Sequence, residues 1–250
     1  KNPGGNGFSS EPHFHRGTVI IFNIVPDSDL DFVYHLRKFI DLNSDITTTM
    51  GIHLFWDSRV PIGLSRPVSE ELSAVLEMPV SRIDNGIFPL EGFDPVRNQY
   101  DAVKILTKLD MFRRRMPGLF KPADVDLEYY NKFNHIYEKV LLVTPADLYE
   151  PLADFVYGLA YPRLGVSVVS PYRLKNEFYG RHEDDSDLIA RLVKEGAHEI
   201  GHLFGLGHCD NPGCIMYCPR NLDDLDRKRN YFCGKCRLQL NGDKTEEDLF

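Results

Sequence analysis

The chain has 250 residues, of which 42% are hydrophobic and 26% charged, and carries a formal net charge of −8. That length allows one large domain or two small ones with a real core, and the composition excludes a disordered tail or a coiled coil. The negative charge argues against a dedicated nucleic-acid binder, and no apolar run approaches the length of a membrane-spanning helix.

Residues 1–16 bear Gly, Pro and His and read as a loose tail. From Gly17 the texture changes. The apolar run Val19–Val25 has strand length, Asp29–Asn43 has helical spacing, and Ile46–Trp56 reads as a second strand. A strand, a helix and a strand in that order open an α/β layer. Residues 61–98 are rich in Pro and Gly, with one short helix expected near Ser69–Met78. Asn98–Phe112 returns to helical spacing, and residues 113–135 read as an irregular insertion. Lys139–Thr144, Phe155–Ala160 and Val166–Ser170 are three further strand candidates. The first ten residues have no signal-peptide core, which makes the cytoplasm the expected location of the chain as given; it opens on Lys1 rather than Met.

All five cysteines lie between Cys209 and Cys236. A disulfide scaffold would spread its bridges over the fold. An odd, clustered set reads better as a metal site in a reducing compartment.

The segment from Ser186 onward carries the chemistry. Ser186 is a candidate cap for a helix beginning at Asp187, along which Leu188, Leu192, Gly196, Ile200 and Leu203 recur at helical intervals. At about 100° per residue, His198 and His202 lie about 40° apart, while Ile189, Gly196 and Ile200 fall roughly opposite. One face therefore packs on a sheet, and the other offers two imidazoles one turn apart, as a single ion requires. Glu199 stands beside them, able to reach a metal-bound water without binding the metal. Gly205 and Gly207 are placed to end the helix and return His208 as a third ligand. Three protein ligands leave one tetrahedral position open, the mark of a catalytic zinc.

The string His198-Glu199-Ile200-Gly201-His202-Leu203-Phe204-Gly205-Leu206-Gly207-His208 is an HExxHxxGxxH, a metzincin signature. It runs directly into Cys209, Cys214, Met216 and the pair Cys233 and Cys236. Together these resemble the archaemetzincins, a family of metzincin-like zinc peptidases, and weaker upstream likenesses extend over roughly residues 17–240. The resemblance implies an α/β metzincin-like domain over residues 17–206, a twisted mixed sheet with the active-site helix, and a small irregular C-terminal subdomain over 207–241, with 242–250 a tail. It implies two zinc ions. His198, His202 and His208 would hold the catalytic one, Cys209, Cys214, Cys233 and Cys236 the structural one, and Met216 would sit in the turn beneath the metal. Cys218 departs from this pattern and could replace Cys214 as a ligand.

The expected activity is hydrolysis of a peptide bond by a zinc-bound water, with Glu199 as general base. The substrate, a peptide or protein, would lie along the edge strand formed by Phe155, Val156, Tyr157, Gly158, Leu159 and Ala160. A monomer acting without nucleic acid or membrane is expected. The alternative is a catalytically idle zinc module that binds a protein partner, and Glu199 argues against it. A nucleic-acid reader would rest on Arg227-Lys228-Arg229, whose field Asp223, Asp224 and Asp226 dilute.

Overall fold

A computed structural model describes residues 51–115 and 139–241. The tails at 1–16 and 242–250, the expected strand Val19–Val25, the expected helix Asp29–Asn43 and the insertion beyond residue 115 lie outside the described residues.

The architecture is mixed α/β. The main sheet contains β1 (Ile52–Asp57), β2 (Val80–Gly86), β5 (Lys139–Val143), β7 (Gly158–Tyr161) and β8 (Val166–Val169), in the order β2-β1-β5-β8-β7. Its pairs are parallel except the last, where β7 runs antiparallel to β8 and forms one edge. A smaller sheet joins β3 (Phe93–Asp94), β4 (Gln99–Asp101) and β6 (Leu148–Tyr149). The helices are α1 (Ser65–Leu76), α2 (Ala102–Arg115), α3 (Asp185–Leu203), α4 (Leu222–Arg227) and α5 (Gly234–Leu240). Among the described residues no helix is long and apolar enough to cross a membrane.

The central strands are buried along their lengths because helices cover both faces, which is why IHLFWD, KVLLV and VSVV are almost continuously apolar. Their residues divide by parity, as a pleated strand requires. Ile52, Leu54, Trp56, Leu141 and Val143 join Leu72 of α1 and Leu192 and Ala197 of α3 in one core. Phe55, Val140, Leu142, Val166 and Val168 meet Ile105, Leu106 and Leu109 of α2 in the other.

Several element boundaries differ from the sequence reading. The helix expected at Ser69–Met78 runs Ser65–Leu76. Pro67 does not break it, because a proline in the first turn lacks only an N–H that would have no intrahelical acceptor. The helix expected from Asn98 begins at Ala102, since the Asp101 carboxylate accepts from the Val103 and Lys104 amides at 2.9 and 3.3 Å and leaves Gln99–Asp101 as a short strand. The expected strand Phe155–Ala160 is shifted to Gly158–Tyr161, and Val156 makes only an isolated bridge to Leu148. β2 was hidden in the Pro/Gly-rich stretch because, at the sheet's other edge, VSRIDNG needs no continuous apolar run.

The C-terminal part shares the main core: Ile215, Met216, Leu222, Leu225, Phe232 and Leu240 cluster with α3 residues. Polar straps join it to α3 as well. Arg191 grips the Asp226 carboxylate with two hydrogen bonds of 2.6 and 2.8 Å, and the Lys194 ammonium donates to the carbonyls of Leu225 and Asp226. These contacts explain how charged residues of α3 come to be buried.

Candidate active site

α3 positions the first two histidines. Its N-cap is Asp184, one turn earlier in its role than the expected Ser186: the Asp184 carboxylate accepts from the amides of Ser186 and Asp187. An aspartate at that end also meets the helix dipole favourably. The helix then runs 19 residues beneath the sheet. Gly196 permits its close approach, since a Cβ there would lie 3.0 Å from Leu141 Cδ2 and 3.4 Å from Leu72 Cδ2. This is the face placed opposite the ligands by the helical wheel.

The helix ends in a Schellman motif. Gly205, at φ +85°, donates to the His202 carbonyl and Leu206 donates to that of Gly201. Gly205 alone takes the left-handed turn; Gly207 does not have a positive φ. The same turn aims the Leu206 carbonyl at His202, whose Nδ1 lies 2.7 Å from it. His198 Nδ1 lies 2.9 Å from the Ile215 carbonyl.

These contacts settle the tautomers. A carbonyl can only accept, so each Nδ1 carries the proton and each Nε2 presents a lone pair. Burial holds both imidazoles below their ordinary pKa, His198 well below, which favours the neutral form. Yet the two Nε2 atoms stand 3.1 Å apart. Two lone pairs that close repel unless a cation lies between them. Two nitrogens on one tetrahedral zinc would be separated by about 3.3 Å. His208 completes the group, with all three ligand atoms within 4.8 Å of one another. The donor set fits a zinc ion.

The four-thiol group fits one equally well. Cys209, Cys214, Cys233 and Cys236 bring their sulfurs within 4.8 Å of one another. Cys209 Sγ and Cys233 Sγ are 3.8 Å apart, far beyond a disulfide and close to the roughly 3.8 Å of two thiolates on one tetrahedral zinc. The Cys233 amide donates to Cys214 Sγ at 3.3 Å. Cys218 stands outside this group, exposed on the wall of the histidine cleft.

Glu199 lies on the cleft floor, 4% exposed. Burial pushes its carboxyl well above the usual range, and the nearby Glu195 adds to this. It presses against the edge strand: a Cβ on Gly158 would come 2.8 Å from Glu199 Cγ and 2.9 Å from Oε1. The cleft has a volume of about 690 Å³, and Phe155–Ala160, the six expected substrate-strand residues, line it. β7 pairs with β8 on one side, and no other described strand pairs with it. Met216 is fully buried under the helix end, its sulfur 2.5 Å from where a Cβ on Gly201 would stand. Sequence reasoning missed the carbonyls of Leu206 and Ile215, which orient the histidines, and the buried Glu195 and Lys228. Backbone acceptors leave no mark in side-chain identity. Glu195 was visible only as a second carboxylate one turn before Glu199. The expected basic patch does not form, because Lys228 is buried while Arg227 pairs with Asp224 and Arg229 with Tyr231.

Residues 92–242, which include every one of these candidate ligands, match peptidase family M54. The chain belongs to that family. Its curated relatives include the archaemetzincin of Pyrococcus horikoshii, 47% identical over 149 residues that cover 60% of this chain and 69% of that protein. The archaemetzincin of Thermococcus kodakarensis is 48% identical over 98 residues, 39% of this chain and about half, 53%, of the relative. A crystal structure of a zinc-dependent peptidase from Methanocorpusculum labreanum is 86% identical, with a TM-score of 0.74, and the match covers 76% of this chain and 100% of that one. The archaemetzincin structure from Methanopyrus kandleri is 30% identical, with a TM-score of 0.58, over 79% of this chain and 96% of that one. The mixed α/β architecture is thus that of the archaemetzincins, and the family is one of zinc metallopeptidases.

Proposed function

We propose that the chain is a metzincin-type peptidase with two zinc sites. His198, His202 and His208 hold the catalytic ion. Cys209, Cys214, Cys233 and Cys236 hold the structural one, in a C-terminal subdomain from residue 207. The observation that carries the reading is the pair of Nε2 lone pairs at 3.1 Å beside a buried carboxyl in an open cleft. When bound, zinc would polarise the scissile carbonyl and acidify a water, as a Lewis acid does.

The chain's residues do the rest. Glu199 takes a proton from the attacking water and passes it to the leaving amine. Its seat against Gly158 puts the base next to the edge strand. A peptide added antiparallel or parallel to β7 would satisfy that strand's outer backbone groups and carry its scissile bond past Glu199, while the cleft walls select side chains. Met216 supports the helix end that presents His202. The Ile215 and Leu206 carbonyls fix the two helix imidazoles, as outer partners of metal-binding histidines do.

The test is digestion of a peptide library by zinc-loaded protein, read by product masses. Cleavage that a chelator stops, and that Glu199→Gln reduces by at least about 10²-fold with zinc content unchanged, supports the reading. No cleavage by the loaded protein, or near-normal turnover in the Gln variant, overturns it.

A further inference from the structure

One helical turn before Glu199, on the same side of α3, stands a second buried carboxyl. Glu195 is 5% exposed, and its Oε2 has no hydrogen-bond partner. Two carboxyls this deep, one turn apart, are costly together: burial disfavours each charge, and each charge disfavours the other. Burial raises the pKa of both, and in each case Lys228 pulls it back down.

Lys228 comes from the C-terminal part. It follows α4 directly, and its backbone amide lies 3.3 and 3.2 Å from the carbonyls of Asp224 and Leu225. The Arg191 and Lys194 straps fix α4 to α3. The lysine side chain is therefore delivered from a rigid mount. Lys228 is 2% exposed, and its Nζ has no hydrogen-bond partner. Burial lowers its pKa, and the nearby Glu195 and Glu199, in that order of influence, raise it. An unsatisfied ammonium and an unsatisfied carboxylate oxygen are thus buried in one cluster, behind the proposed base. A buried charge without hydrogen bonds persists only where an opposite charge compensates it.

We infer that Lys228 is a positioning residue for the general base: its ammonium compensates Glu195, and Glu195 in turn holds the Glu199 side chain in its seat against Gly158. This rests on the reading of Glu199 as the base. It gives the C-terminal part a second role besides supplying cysteines, because the charge that steadies the base on α3 is carried by another element.

The test is a double-mutant cycle on the full zinc-loaded chain: Lys228→Met, Glu195→Gln and the two combined, each measured for kcat, KM, zinc content and thermal midpoint. Lys228→Met strands the Glu195 charge. It should lower kcat by about 10–100-fold, the usual cost of losing an outer partner, with KM and zinc near wild type. The combined variant leaves no stranded charge. It should recover most of kcat, and its midpoint should fall by much less than the sum of the single losses. If Lys228→Met fails to fold, rescue of folding by adding Glu195→Gln supports the pairing, and failure of the combined variant to fold overturns it. Additive losses in kcat and midpoint overturn it as well. So does a rise in KM with kcat intact in Glu195→Gln, which would make Glu195 a substrate contact. The thermal cycle needs no substrate, so it reads the pair even if the wild-type protein cleaves nothing, an outcome that would sink only the peptidase reading.

Discussion

Gly158→Ala is the sharpest single perturbation of the proposed base that leaves every metal-binding side chain untouched. The added methyl would stand 2.8 Å from Glu199 Cγ, 2.9 Å from Glu199 Oε1 and 2.9 Å from the Val168 carbonyl oxygen. Contact between a methyl carbon and such atoms is comfortable only at about 3.5–4.0 Å, so roughly 0.7 Å or more must be found. The Val168 oxygen belongs to the backbone of a buried central strand and is the least able to give. Glu199 must therefore move, or β7 must separate from β8. Misplacement of a reacting group by about 1 Å can cost on the order of 10²-fold in rate, and the whole base contribution is about 10²–10⁴-fold. We expect kcat on the library's best peptide to fall by at least about 10²-fold. Zinc content should be unchanged, and the stability loss should stay within the roughly 1–3 kcal/mol of an overpacked site. Gly63→Ala, with nothing within 4 Å of the new methyl, is the matched control. A Gly158→Ala enzyme with kcat within threefold of wild type, at full zinc occupancy, would refute the seating argument.

His208→Ala should lose the catalytic zinc and keep the fold, because α3 is held by its opposite face; metal analysis showing loss in Asp210→Ala instead would reassign the third ligand. Metal analysis of the wild type should give two zinc ions per chain, and Cys233→Ser should remove one and increase protease sensitivity near the C-terminus; one zinc with four titratable thiols would remove the structural site. Burial pushes Asp57 up, but hydrogen bonds from the Arg59 side chain and the Arg59 and Phe88 amides outweigh it, so its carboxyl sits below the model value of 3.8. Its stabilising contribution is then fully present above pH 3.8 and lost as pH falls through the lower folded value. Denaturant unfolding at stepped pH should show Asp57→Asn costing stability near neutrality and costing less below that point; a penalty independent of pH would contradict the assignment.

The candidate ligands were legible because metal chemistry dictates both residue type and spacing. No other side chains substitute for three imidazoles and four thiols, and a helix fixes the i, i+4 interval. Lys139–Thr144 and Val166–Ser170 were legible for a related reason, since strands covered on both faces must be apolar throughout. The miss at Phe155–Ala160 has the opposite cause. An edge strand needs no continuous burial, so nothing in FVYGLA marks where pairing with β8 begins. Asp184 was passed over as cap because Asp and Ser are near-equivalent there, and only the geometry decides between neighbours. Lys228 was misread as one member of a surface cluster. Composition along the chain cannot show that one of three consecutive cations turns inward.

The two candidate metal groups are joined by a very short path. His208 and Cys209 are adjacent, and the Cys209 amide donates to the Met216 carbonyl at 2.9 Å, closing the loop on itself. Cys214 lies in that loop, and the next carbonyl, Ile215, fixes the tautomer of His198. A metal on the thiols would therefore anchor the segment that presents one catalytic ligand and orients another. That coupling follows from loop geometry and needs no moving part. Between the anchors stand Ile215 and Met216, both fully buried against α3. Their packing makes the loop part of the main core rather than an appendage. Loss of the thiol site should consequently loosen His208 first and the helix histidines last, because only His208 depends on the loop alone.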